Sequence, residues 1–181
     1  LNSLQDYWID EGTANQRFNP LRNYLTSTSA PNNFSVAHNV MDPVGLAHYR
    51  GVLEYLGHTF SDPSGDNGNI YRFTIGNEVD AHWAWYNVGE VELDKVIDIY
   101  LTSCRIADLA LRSRNPDFRI YVSFTHYWDK MHGTDPLRAG KVKYFLEQFA
   151  AGARAEGDFP WALCIHPYPV SLFDSTFWDD P

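Results

Sequence analysis

Apolar side chains recur along this chain at two alternating periods, and each change of period marks an element. Leu46, Tyr49, Val52, Leu53 and Leu56 fall at helical spacing behind Asp42-Pro43, a capping residue followed by a proline at the first helical position, so a helix is predicted to about Phe60. Ser61 to Asn69 (SDPSGDNGN) is turn chemistry, and Ile70 to Ile75 is β-branched and aromatic enough to be a strand. That strand stops at Gly76-Asn77-Glu78. Leu93, Val96, Ile97, Tyr100, Leu101, Cys104, Ala107 and Leu111 then draw one stripe along a second, longer helix, ended by Asn115-Pro116-Asp117. The unit repeats with a strand over Arg119 to Phe124, an exit at His126, Tyr127, Trp128 and Asp129, and a helix outlined by Val142, Phe145, Leu146, Phe149 and Ala153. A third strand, Trp161 to Ile165, leaves through His166-Pro167-Tyr168-Pro169.

Strand, polar-aromatic loop, helix, strand is the βα repeat of a parallel sheet with right-handed crossovers. Residues 1–35 are different: rich in Asn, Ser, Thr and Pro, they read as a long surface loop carrying Tyr7, Trp8, Phe18 and Tyr24, and Phe34 to Val40 reads as the end of a strand. The chain is therefore one α/β domain over 1–181, with βα repeats over 36–181. A doubly wound nucleotide-binding sheet is disfavoured because no strand exit carries a Gly-rich phosphate loop. A (β/α)8 barrel is preferred because the chemically capable residues gather at the strand exits, where such barrels build their sites. A whole barrel needs about 250 residues. The expectation is thus a partial TIM barrel, roughly strands three to six with their helices, truncated at both ends.

Composition narrows the partners. The formal net charge is −9, and the 14 Lys and Arg are scattered with no run, so a phosphate-backbone footprint is missing and nucleic acid is not expected. No apolar run is long enough to span a bilayer, and no membrane partner is expected. The two cysteines, Cys104 and Cys164, fall in apolar periodic segments and read as small buried thiols, not as a disulfide or zinc site. No cofactor is implied.

Phe73-Thr74-Ile75-Gly76-Asn77-Glu78 is an apolar strand ending in an amide and a carboxylate. A carboxyl at such an exit can protonate a glycosidic oxygen, and the amide beside it can bind a sugar hydroxyl. The alternative use of the pair is capping of a solvated turn. Trp83, Trp85 and Tyr86, on the loop that follows, suit either stacking on a pyranose face or packing beneath the loop.

The strand-terminal GNE, with the later strand exits, resembles the clan-A glycoside hydrolases, in which the acid/base Glu follows Asn at the end of the fourth barrel strand. IGNEVDAHWAWYNVGE, YVSFTHYW and IHPYP are most similar to a bacterial domain family of uncharacterised hydrolases in that clan, over roughly residues 34–170. The resemblance implies Glu78 as general acid/base and Asn77 as ligand of a sugar hydroxyl. It places His126 and Trp128 at the exit of strand five and His166 and Tyr168 at the exit of strand six, where clan members hydrogen-bond the nucleophile; His82, Trp83 and Trp85, on the loop after Glu78, are further substrate-side candidates from their residue types alone. The clan's nucleophile is a Glu ending strand seven, and none follows residue 166 here. Asp80, Asp129 and Glu90 are the only plausible internal substitutes, so the fragment alone is expected to be inactive on its carbohydrate substrate, and strand edges and helix faces without their barrel neighbours are expected to make it prone to associate. A secreted or periplasmic setting is expected for the full-length parent. Two other readings stay open: a metal-dependent barrel hydrolase in which His82, His126, His166 and Glu78 converge on a divalent ion, and a carbohydrate-binding barrel without chemistry.

Overall fold

The computed structural model describes residues 22–31, 35–60 and 66–169. Tyr7, Trp8 and Phe18 lie outside the described residues. In chain order the elements are helix α1 (Pro43–Phe60), strand β1 (Arg72–Ile75), a 3-10 turn (Val79–Ala81), the short helix α2 (His82–Trp85), helix α3 (Leu93–Arg112), strand β2 (Arg119–Phe124), helix α4 (Val142–Ala155) and strand β3 (Trp161–Ile165).

The strands form one parallel sheet in the order β1-β2-β3, with α3 crossing from β1 to β2 and α4 from β2 to β3. The register pairs Ile75 with Val122 and Phe124 with Ile165. Because side chains alternate across a pleat, Phe73, Ile75, Ile120, Val122, Phe124, Trp161, Leu163 and Ile165 share one face. The helices cover that face over β2 and as far as Trp161, while Leu163 and Ile165 of β3 stay 41% and 39% exposed. Phe124 meets Tyr100 of α3 and Phe145 of α4, and Trp161 stands edge-on to Phe149. α1 lies on the other flank of α3.

α1 starts at a side-chain cap, and α3 and α4 form along their apolar stripes. Asp42 Oδ1 accepts the Val44 and Gly45 N–H groups at 3.0 and 2.9 Å, satisfying two of the donors a helix start leaves free. Along α3 the residues Val96, Ile97, Tyr100, Leu101, Cys104, Ala107 and Leu111 are buried, which is the predicted stripe apart from the partly buried Leu93. Tyr100 is its centre: the hydroxyl donates to the Ile75 carbonyl at 2.5 Å and accepts the Ser123 N–H at 3.2 Å, joining the C-terminal ends of β1 and β2. Among the described residues, no helix is long and apolar enough to cross a membrane.

Three expectations change. The stretch 35–40 does not extend the sheet. Its backbone bonds go to Asn23 and Asn87, leaving only isolated bridges, Val36 with Asn87 and Arg22 with His38. β1 starts at Arg72, later than Ile70, and Ile70 and Tyr71 remain exposed. Cys104 is buried, but Cys164 is half-buried on the face of the sheet away from the helices.

Candidate active site

The chain leaves β1 through a turn that only particular residues fit. Gly76 has φ +71°, and a Cβ there would come within 2.9 Å of Val79 and 3.2 Å of Tyr86 and Tyr100. Glu78 follows with φ 44° and ψ 52°, the left-handed region, which glutamate adopts at a cost of about 1–2 kcal/mol. Two bonds hold it there. Its N–H donates to Ser123 Oγ at 3.3 Å, and its carbonyl accepts the Ala81 N–H at 2.9 Å.

This twist turns the Glu78 side chain, only 8% exposed, into the end of the sheet where β2 and β3 also terminate. Oε1 accepts a hydrogen bond from His166 Nδ1 at 2.8 Å, and His166 Nε2 lies 3.4 Å from Ser123 Oγ. A neutral imidazole fits this pattern with its proton on Nδ1 and the serine hydroxyl donating to Nε2. Serine, histidine and glutamate in line resemble the order of a serine hydrolase triad, but Ser123 has no accessible surface and no substrate carbonyl can reach it.

A cavity of about 400 Å³ opens beside Glu78, within the size range of small-ligand sites. Its walls are Asn77, Glu78, Trp85, Thr125, His126, Tyr127, His132, Tyr168 and Pro169. The β1 exit supplies Asn77, Glu78 and Trp85; the β2 exit supplies Thr125 to Tyr127 and His132; the β3 exit supplies Tyr168 and Pro169. His126 touches the ring of Tyr127 and stands edge-on to Tyr168, with centroids 4.2 and 6.2 Å apart.

Of the residues singled out in the sequence, Asn77, Glu78, Trp85, His126 and Tyr168 meet at this cavity, with His166 behind Glu78. The resemblance points His166 toward a nucleophile, whereas here it holds Glu78. The other three residues are placed differently. His82 has no accessible surface, its Nε2–H donates to the Leu137 carbonyl at 2.8 Å, and burial lowers its pKa, so it is a packed structural histidine. Trp83 lies under the Arg138 guanidinium, 4.6 Å from its ring centroid, and Trp128 is 51% exposed outside the cavity walls. Thr125, Tyr127 and His132 are walls that the sequence did not single out for binding. Only Tyr127 carried a signal, its place between His126 and Trp128 at a strand exit.

No second carboxylate faces the cavity among the described residues. Asp129 pairs with Lys141 at 3.2 Å and Glu90 with Arg138 at 2.5 Å, both at the exposed surface. Asp80 is fully buried, and both its oxygens are held by Thr125. A metal reading fares no better. His82 is turned away to Leu137, and among the described residues no group of three or more His, Cys, Asp or Glu side chains is placed to hold an ion.

Neither a curated protein nor a solved structure matches the chain. A family model does match over residues 13–181, and the chain accordingly belongs to that family, DUF5722, a family of unknown function.

Proposed function

We propose that this chain is the acid/base-bearing part of a retaining glycoside hydrolase, with β1, β2 and β3 as consecutive strands four to six of a (β/α)8 barrel. The observation that carries the reading is Glu78 itself: a nearly buried carboxyl, on backbone that disfavours glutamate, forming the wall of an aromatic cavity at the strand exits. Backbone strain retained at a cavity is characteristic of functional sites.

The His166 bond gives the carboxyl a direction. With Oε1 accepting an N–H, the acidic proton of neutral Glu78 resides on Oε2, the oxygen left to deliver it. In the first step that proton passes to the glycosidic oxygen as its bond to the anomeric carbon breaks, the leaving alcohol departs and the nucleophile bonds to that carbon. In the second, the Glu78 carboxylate takes a proton from the water that releases the sugar. Asn77, on the same turn, would hydrogen-bond a hydroxyl of the sugar beside the scissile bond. Trp85 and Tyr168 would face its apolar surface. The nucleophile comes from outside the described residues, because a retaining pair stands about 5–5.5 Å apart and Asp80, Asp129 and Glu90 are all engaged elsewhere.

The test compares the full-length parent protein with its Glu78→Gln variant on aryl glycosides bearing poor and good leaving groups. Hydrolysis of the poor leaving groups should fall by about 10²–10⁴, the usual contribution of a general acid, while good ones are partly spared. An unaffected variant would sink the assignment. Sugar binding without turnover in the wild-type parent would instead favour a carbohydrate-binding barrel, the reading that the single cavity carboxylate supports.

A further inference from the structure

Asp80 lies in the 3-10 turn directly after Glu78, has no accessible surface, and takes no part in the chemistry above. Both of its oxygens serve one residue of the neighbouring strand exit. Oδ1 accepts the Thr125 N–H at 2.8 Å, and Oδ2 accepts the Thr125 hydroxyl at 2.5 Å. The Asp80 carbonyl accepts the Gly140 N–H at 2.7 Å, at the far end of the loop that Thr125 begins. Thr125 Oγ1 in turn accepts the Tyr127 N–H at 3.2 Å. One residue therefore grips both ends of the 125–140 loop. That loop carries Thr125, His126, Tyr127 and His132, the cavity walls contributed by β2, while the turn holding Asp80 carries Asn77 and Glu78.

A carboxylate is a demanding choice for such a clamp. Burial pushes its pKa up to about 6, the two Thr125 bonds pull it down, and the charge of Glu78 adds to the rise. A buried charge retained for packing alone is often matched or bettered by a neutral side chain of similar shape.

We propose that Asp80 is a positioning residue for the cavity: its charge holds both Thr125 donors and so fixes the His126–Tyr127 wall against the Glu78 wall. This rests on the reading of the cavity as the place where Glu78 acts. Protonation removes one acceptor, reverses the hydroxyl bond and loosens the β2-exit wall. The titratable groups around it are Glu78 with His166 on its carboxyl, His126 and His132 on the gripped loop, and His82, whose ring is turned to Leu137.

The experiment is an amide and imidazole NMR titration of the 181-residue chain between about pH 7.5 and about pH 5, in wild type, Asp80→Asn and Thr125→Val. In wild type the Thr125 and Tyr127 amides should shift together with one midpoint near 6. Asp80→Asn should flatten that step. Thr125→Val keeps the amide but loses the hydroxyl, and Tyr127 amide exchange should then accelerate about tenfold or more, as expected for loss of one hydrogen bond in a charge-assisted chain. A purely structural role would lower the melting temperature of both variants, leave the wild-type Tyr127 amide without a step and leave its exchange unchanged in Thr125→Val. The proposal is overturned if the step persists in Asp80→Asn or if Tyr127 exchange is unchanged in Thr125→Val, and either variant alone decides. No substrate enters the titration, so its failure is distinguishable from failure of the glycosidase reading, which only the leaving-group comparison tests.

Discussion

Phe124 and Ile165 are paired neighbours on one face of the same sheet, yet Phe124 has no accessible surface and Ile165 keeps 39% of its own. The difference lies in what covers them. Phe124 sits beneath Tyr100 of α3 and Phe145 of α4, whereas Leu163 and Ile165 of β3 have no helix packed over them among the described residues, and Leu163 is 41% exposed. Strand apolarity reports the face a strand is built for, and burial reports which neighbours are in place. In the partial-barrel reading, the helix after β3 would occupy that flank.

Truncation separates the two regions most strongly. Phe145→Ala should destabilise the chain by about 3–5 kcal/mol, because a ring inside a closed core leaves a cavity, while Leu163→Ala on the open flank should cost less than about 1 kcal/mol. Denaturant midpoints of the two variants measure this directly. Equal losses would mean that β3 is covered as fully as β2, and the contrast would fail.

The same contrast explains what the sequence could reveal. Helical and strand periods persist wherever a face is covered, so Leu93–Arg112, Arg119–Phe124 and Trp161–Ile165 fall on the residues where the stripes place them. Past the strand ends the period stops, and placement depends on contacts between distant loops. Asn77 and Glu78 were legible because they terminate an apolar strand. His82 was not legible as a structural residue, since nothing nearby in sequence indicates that its ring turns to Leu137, 55 positions away. His132 reaches the cavity on a loop closed by the Met131–Lys141 bridge and the Asp80–Gly140 bond, neither of which leaves a local pattern.

The sealed end of the sheet carries a penalty that the open flank lacks. The folded pKa of Asp80 is raised to about 6 from the ordinary 3.8, so between those values the folded chain holds a proton that the unfolded chain has lost. Stability is therefore greatest below the unfolded pKa and declines as pH rises through the folded one. A shift of this size corresponds to a penalty of about 2–3 kcal/mol at neutral pH. Asp80→Asn should recover about 1–3 kcal/mol at neutral pH and little under acid conditions, measured as the difference in unfolding free energy across the pH range. A variant equally destabilised at both extremes would show that the Thr125 bonds outweigh the buried charge.

Glu78 gives the smallest and most discriminating effect. Asparagine tolerates the left-handed conformation that glutamate resists, so Glu78→Asn relieves a strain of about 1–2 kcal/mol. It also gives up the bond from His166, a loss of about 0.5–1.5 kcal/mol. The two nearly cancel, and the expected outcome lies between a loss of about 0.5 and a gain of about 1.5 kcal/mol in unfolding free energy at unchanged denaturant slope. No comparable gain should follow from substituting Leu163 or Ile165, whose strand carries no left-handed residue. A loss of more than about 1 kcal/mol would mean that Glu78 is retained for the stability of the turn. A neutral or positive result would leave its strained, nearly buried carboxyl to be explained by chemistry at the cavity.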